Sequence, residues 1–136
     1  MNLSIRQIAI AKLLFTTLAG TALAEQYVCQ TEQMTGFADQ GDEQWVGSRF
    51  TNRPSFLVDT KARTVTEFGV GLRHSNCTTH DPLMLGYMTC AYLSGTRQFA
   101  FNSNNLRFAE ADIFGYVAYD LEEPWLLIGT CAELGG

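Results

Sequence analysis

The sequence predicts an all-β fold, an antiparallel up-and-down meander of about eight short strands that closes into a small barrel or sandwich and is stapled by disulfides. Runs rich in aromatic and β-branched residues alternate with Gly, Asn and Asp at spacings of about 8 to 12 residues. No sustained helical repeat follows residue 24, and all 4 cysteines lie beyond that point. A sheet of such short strands avoids exposed edges by closing on itself.

The first 24 residues have the three parts of a secretory signal peptide. Arg6 and Lys12 precede an apolar run without charge, and a small-x-small cleavage site ends at Ala24. The run of about 11 apolar residues is too short to span a bilayer core. We therefore expect cleavage, a single barrel or sandwich domain over residues 25–136, no membrane insertion afterwards, and a periplasmic or secreted location.

The predicted mature chain is acidic. Removal of the signal peptide takes away two of the 9 basic residues and none of the 14 acidic ones, which leaves a formal net charge of −7. Nucleic-acid binding requires a basic surface, so the composition excludes nucleic acid as a partner. The same charge disfavours anionic membrane surfaces and is compatible with a basic protein partner.

The first half of the mature chain contains four predicted strands. EQYVCQTE and EQWVGSRF supply the first two. PSFLVDT and RTVTEFGV form a candidate hairpin around residues 59–62, and Pro54 stands at the strand start, where its missing N–H matters least. In EFGVGLRH no helix follows the glycines, so Gly69 and Gly71 are interpreted as bulge or turn residues.

The second half contains the clearest hairpin. In RQFAFNSNNLRFAEA, Phe99 and Phe101 before the polar turn, and Leu106 and Phe108 after it, alternate with polar or small residues. This predicts a hairpin with one buried aromatic face and one wet face. LMLGYMTCAYL, DIFGYVAYD and WLLIGTCAEL supply the remaining strands. LMLGYMTCAYL has apolar residues at both odd and even positions. A strand covered on both faces and a buried helix share this pattern.

Four cysteines in an exported chain predict two disulfides. Of the three possible pairings we favour Cys77–Cys90, which closes a short loop, and Cys29–Cys131, which joins the first strand to the last. By chain-entropy estimates the two bonds contribute about 3 and about 4.7 kcal/mol.

The stretch HSNCTTHD contains both histidines, and it admits a second interpretation. His74, Cys77 and His80 offer imidazole and thiolate ligands, and they form an alternative metal-binding set. Their spacing is not that of a standard zinc site, and an oxidised Cys77 cannot coordinate a metal. We therefore predict a disulfide with two polar loop histidines, and neither a metal nor another cofactor.

No motif for catalysis is present. The chain has no Gly-x-Ser-x-Gly elbow, His-Glu-x-x-His helix, P-loop or dinucleotide fingerprint, so no catalytic residue is predicted and the protein is interpreted as non-enzymatic. Aromatic residues are instead the candidate ligand-binding groups, since they either line an apolar cavity or fill the barrel. These residues are Phe99, Phe101, Phe108, Phe114 and Trp125.

Two resemblances follow from short motifs. YVCQ near the mature start, FLVDTKARTVTEFG in the middle and LIGTCAEL at the end resemble a loose group of small exported proteobacterial β-barrel proteins of unknown function. The chain is also similar, more weakly, to the membrane-bound inhibitors of C-type lysozyme, through its Tyr-x-Cys start, its late cysteine and LSGTRQF. That second resemblance implies that Ser94 enters the cleft of the enzyme, with Arg97 on the same exposed loop.

The predicted function is therefore a non-enzymatic exported binding protein of the bacterial envelope. Its partner is a small apolar ligand or a protein, bound at the barrel mouth or on the loops. A periplasmic inhibitor of a hydrolase such as lysozyme, and a metal-binding protein that uses His74, Cys77 and His80, are the alternatives.

Overall fold

The computed structural model of the protein describes residues 25–41, 44–80, 86–92, 97–113, 116–117 and 123–135. The predicted signal peptide, residues 1–24, lies outside this part of the chain. The described residues form ten strands: β1 Gln26–Asp39, β2 Trp45–Arg49, β3 Ser55–Asp59, β4 Thr64–Glu67, β5 Gly71–His74, β6 Thr78–Thr79, β7 Tyr87–Ala91, β8 Arg97–Asn102, β9 Arg107–Asp112 and β10 Trp125–Glu133.

All ten strands belong to one antiparallel sheet that curls into a half-barrel. The strand order is β5-β4-β3-β1-β10-β9-β8-β7-β6, with β2 attached to β1. The first and last strands of the chain are therefore neighbours, and the two ends of the order are β5 and β6. Only residues 75–77 separate β5 from β6, so the chain itself links the two edges of the sheet. The prediction of a disulfide-stapled all-β meander is confirmed.

The two predicted hairpins are present as β3–β4 and β8–β9. Their burial alternates along each strand, because successive side chains point to opposite faces. On β8, Phe99 and Phe101 face the interior of the half-barrel, as the sequence pattern predicts. The strand β7 also alternates, so it is buried on one face and not on two.

The structure has two short strands, β5 and β6, that the sequence did not predict, and it lacks one that was predicted. DIFGYVAYD covers residues 112–120, but β9 ends at Asp112, and Tyr116 and Val117 are helical. The prediction of a strand there is wrong for the described residues. Tyr116 packs its ring edge-on to Trp45 at a centroid distance of 4.9 Å. Tyr116 and Val117 are both exposed, so the alternation of buried and exposed residues that a half-buried strand shows is absent here.

Along one edge, the two halves of the long strand β1 pair with different strands. Residues 26–30 pair with β3 and residues 35–39 pair with β2, while β10 follows β1 along its other edge. A register shift between Thr31 and Gln33 marks a bulge opposite Gly129. Because β2 and β3 lie along the same edge of β1, β2 continues the sheet beyond the end of β3.

Both predicted disulfides are present. Cys29–Cys131 joins β1 to β10, and Cys77–Cys90 joins the residue before β6 to β7. All four cysteines are buried. Two disulfides fit an oxidising compartment, as expected for an exported chain. Among the described residues, none forms a helix of the length and apolarity that crossing a bilayer requires.

Candidate functional site

The predicted ligand-binding phenylalanines form the centre of the core. Phe99 and Phe108 stack at 5.6 Å, and Phe56 packs edge-on against both. Phe101 contacts Tyr27, with ring centroids 4.7 Å apart. These rings are at most 4% exposed, so they fill the half-barrel. That they bind a ligand stays a prediction.

The other two predicted aromatic residues lie elsewhere. Trp125 begins β10 and is only partly buried, with the guanidinium of Arg97 5.5 Å from its ring centroid. Phe114 is outside the described residues. Arg97 Nε also donates to Asp112 Oδ2 at 3.0 Å, so this cation is held within the protein. Ser94, the residue that the resemblance to the lysozyme inhibitors implies would enter the enzyme cleft, lies outside the described residues, and the inhibitor role stays a prediction.

His74 is a core residue, and the prediction that it is a polar loop residue is wrong. It ends β5, is 2% exposed, and lies with its Nε2 2.9 Å from Glu110 Oε1 on β9. Both side chains are fully buried, and the imidazole ring lies 5.8 Å from the ring of Phe99. His74 Nδ1 and Glu110 Oε2 have no hydrogen-bond partner among the described residues. The sheet curvature brings this pair together, since 36 residues separate the two in sequence.

The alternative metal set lacks its thiolate. Cys77 is bonded to Cys90, and His74 is occupied by Glu110. His80 is exposed outside the strands, as predicted, and its Nε2 lies 2.8 Å from Thr89 Oγ1. Within the part of the chain that the structure describes, no group of three His, Cys, Asp or Glu residues could hold a metal ion.

Two further acid–base pairs lie at or near the buried face. Asp112 is 2% exposed and accepts the hydrogen bond of Arg97. Glu67 is 8% exposed, and its Oε2 lies 2.5 Å from Arg73 Nε, as an ion pair without hydrogen-bond geometry. These contacts neutralise the buried carboxylates, which is the usual condition for burying a charge.

An open cavity of about 660 Å³ lies on the outer face of β7–β10. Strand pairing sets Thr89, Ala100 and Ala109 in one row and Ala91, Gln98, Ala111 and Leu126 in the next. We call this cavity the alanine groove. Its lining comprises Ser75, Asn76, Thr78, Thr89, Ala91, Tyr92, Gln98, Ala100, Ala109, Ala111 and Leu126, with Cys90, Phe99 and Glu110 bordering it from within the sheet.

The alanine groove has a floor of methyl groups and a rim of neutral polar groups. The alanines are short, so the floor lies close to the backbone, while Leu126 and Tyr92 stand higher, at 45% and 42% exposure. Glu110 is the only Asp, Glu, Lys, Arg or His in its described lining, and it is fully buried. A smaller cavity of about 200 Å³ shares Ala100 and Ala109 with the groove and borders Arg107.

Sequence reasoning missed the alanine groove, although a signal for it is present. In RQFAF and RFAEA three of the five outward-facing positions are alanines, namely Ala100, Ala109 and Ala111. A wet face normally carries polar or charged side chains at these positions. Alanines on the outward parity of two adjacent strands therefore indicate an apolar, low-lying outer surface.

Comparison of the chain with known protein families, with curated proteins and with solved structures finds no match. Both resemblances to exported bacterial proteins therefore stay predictions.

Proposed function

We propose that this chain is a non-enzymatic, exported binding protein that holds a neutral ligand in the alanine groove. The observation that carries the proposal is that the exposed lining of the groove has no charged side chain, on a strongly acidic protein. An open cavity of about 660 Å³ is in the range of small-ligand sites. The two disulfides support an oxidising location, and we propose the periplasm or the exterior of a bacterial cell.

The side chains around the alanine groove indicate which class of ligand it can bind. The backbone groups of the floor strands are consumed in the ladders of β7–β10, so a peptide main chain cannot add a strand here. Recognition is left to side chains: an aromatic ring at Tyr92, amides at Asn76 and Gln98, and hydroxyls along β6 and β7. This set suits a neutral molecule with one apolar face and several hydroxyl or amide groups, such as a short saccharide.

Titration with diacetylchitobiose, followed by amide shifts in NMR spectra, tests the proposal. We expect shifts at Ala100, Ala109 and Ala111, with a dissociation constant of about 1 mM or lower. The deacetylated disaccharide, which is cationic and lacks the acetamido groups, is expected to bind more weakly. Ala109→Leu fills the floor without changing the core and should abolish the shifts. Gln33→Leu is the matched control, since this exposed β1 residue lies outside the groove lining.

The ligand's charge class is tested separately. Arg107→Gln removes the cation at the smaller cavity and should leave binding of the neutral disaccharide unchanged. If Arg107→Gln abolishes binding, recognition depends on this cation and not on the neutral lining of the groove, and the proposal is wrong. It also fails if the neutral probe produces no shifts at the groove, or if the two Leu variants behave alike.

A further inference from the structure

The second feature with a functional consequence is the strand β2, on a different part of the sheet from the alanine groove. Trp45–Arg49 pairs with residues 35–39 of β1, and no described strand pairs with its other edge. The strand carries no Pro and no bulge, and Arg49 at its end is its one charged residue, so most of the features that protect an edge from pairing with another chain are absent. Val46 is 50% exposed, and Phe37 beside Gly47 is 52% exposed.

The hydrogen-bond phase of β2 determines which residues face the free edge. Gln40 N donates to Gln44 O and Phe50 N donates to Met34 O, so the pairs 40/44 and 34/50 are hydrogen-bonded. Antiparallel ladders alternate, so residues 46 and 48 also direct their backbone groups to β1. The N–H and C=O groups of Trp45, Gly47 and Arg49 therefore point away from β1, to the free edge.

The sequence of β2 is complementary to itself about Gly47. A second copy can be placed antiparallel to β2 with the two Gly47 residues at a two-fold axis. Three residue pairs then each exchange two backbone hydrogen bonds: Gly47 with Gly47, Trp45 of the first copy with Arg49 of the second, and Arg49 of the first copy with Trp45 of the second. Arg49 then lies opposite Trp45 of the other copy, a cation–π pair, and Val46 lies opposite Ser48. No like charges oppose each other in this register.

The space at the axis is open. A Cβ built on Gly47 has no neighbour within 4 Å, and Tyr116 holds the Trp45 ring edge-on at 4.9 Å. The sheet face at the axis therefore has room for a side chain on each copy, and the aromatic ring that would receive Arg49 is already positioned. From the free edge, the phase of its hydrogen bonds and this complementarity, we infer that β2 joins a second copy of this chain in a two-fold symmetric dimer with a continuous sheet.

Sedimentation equilibrium of the mature protein, with variants at position 47, tests the inference. The mass of the unmodified protein should rise toward twice the monomer mass with concentration. Gly47→Lys opposes two ammonium groups at the axis and should raise the dissociation constant by about fivefold or more. Gly47→Thr fills the same open space, favours a strand, and should leave the dissociation constant unchanged or lower it. High salt should partly restore association of Gly47→Lys, which a folding defect would not show.

A covalent trap provides the second measurement. In the proposed register the two residues at position 47 form a hydrogen-bonded pair, whose Cα separation of about 5.5 Å suits a disulfide. Oxidised Gly47→Cys should form a covalent dimer, and Val70→Cys, at a position that is 70% exposed outside β2, should not. A protein that stays monomeric at millimolar concentration overturns the inference. Equal association of the Lys and Thr variants, or equal cross-linking of the two Cys variants, also overturns it.

Discussion

His74 and Glu110 form a contact in the core between two fully buried polar side chains. Each side chain has no exposed surface, and each has one polar atom without a hydrogen-bond partner among the described residues. An acid–base pair in such a site contributes little net stability, because desolvation offsets the mutual attraction. Loss of one partner is far more costly, since the other is then buried with no partner at all.

This asymmetry predicts strong coupling between the two positions. Glu110→Leu alone should lower the free energy of unfolding by about 3 kcal/mol or more, because it leaves the imidazole of His74 buried without its partner. The double variant His74→Leu with Glu110→Leu should cost much less than the sum of the single variants. Urea unfolding of the four proteins measures the coupling. If the single costs simply add, the pair does not act as a unit in the folded protein.

Asp59 gives the protein a defined response to acid. Its side chain accepts hydrogen bonds from Gln26 Nε2 at 2.8 Å and from the backbone N–H of Ala62 at 2.7 Å. These bonds, first that of Gln26, hold the pKa of Asp59 below its usual value of 3.8. The folded state thus favours the carboxylate, and the resulting stability is present above pH 3.8 and is lost as the pH falls through the lower folded-state pKa.

The expected result is a loss of stability below pH 3.8 that depends on this side chain. Asp59→Asn keeps the size of the side chain and removes its titration, so the free energy of unfolding of this variant should fall less steeply over the same range. Unfolding by urea at a series of pH values measures both slopes. Identical slopes would show that the two hydrogen bonds do not favour the charged carboxylate.

At the scale of single residues, the sequence predicted some contacts and not others. The cysteine pairing was predictable, because compartment and loop length restrict it to a few choices. The partner of His74 was not predictable, since HSNCTTHD contains no information about a carboxylate 36 residues away. That contact depends on how far the sheet curls, which is a property of all the strands together.

The pairing of β1 with β10 requires a residue without a side chain. Gly129 pairs with Thr31 beside the bulge, and a Cβ added to Gly129 would lie 2.0 Å from the carbonyl oxygen of Gln30. The same Cβ would lie 2.6 Å from Cε1 of Phe108. The backbone carbonyl cannot move without breaking the ladder, so glycine is required here for steric reasons.

Gly129→Ala should therefore destabilise the fold, and an equivalent change on an open strand should not. We expect a loss of about 1–3 kcal/mol, the usual cost of overpacking. Gly47→Ala on β2 is the matched control, because its new methyl group meets nothing within 4 Å. Thermal unfolding at low protein concentration, where association has no effect, compares the two variants. Equal melting temperatures would mean that β1 and β10 separate locally to accept the methyl group.

At the scale of elements, strands with a regular period and a turn were predictable from their own sequence. RQFAFNSNNLRFAEA contains both strands of β8–β9 and their turn, and PSFLVDT with RTVTEFGV contains β3–β4. DIFGYVAYD has the composition of a strand, but its described residues beyond Asp112 pair with no strand. The two-residue β6 was missed because nothing local specifies it. It is positioned by its pairing with β7 and by the disulfide next to it.

At the scale of the whole molecule, the sheet is held together at two places by different kinds of connection. The β1–β10 seam joins the first and last strands through nine register pairs and the Cys29–Cys131 disulfide. The other boundary of the sheet, between β5 and β6, is linked only by residues 75–77 and by Cys77–Cys90. The sequence predicted the first seam from the positions of two cysteines. It did not predict where the sheet would end, because this depends on the register of every strand between.

The two disulfides should therefore stabilise the protein in different ways. Cys29–Cys131 spans 102 residues and Cys77–Cys90 spans 13. Chain entropy gives losses of about 4.7 and about 3 kcal/mol when the bonds are removed. The paired variant Cys29→Ala with Cys131→Ala should show the lower urea midpoint, and Cys77→Ala with Cys90→Ala should also show faster amide exchange on β6 and β7. The reverse order of midpoints would mean that the β5–β6 boundary, and not the terminal seam, limits unfolding of the sheet.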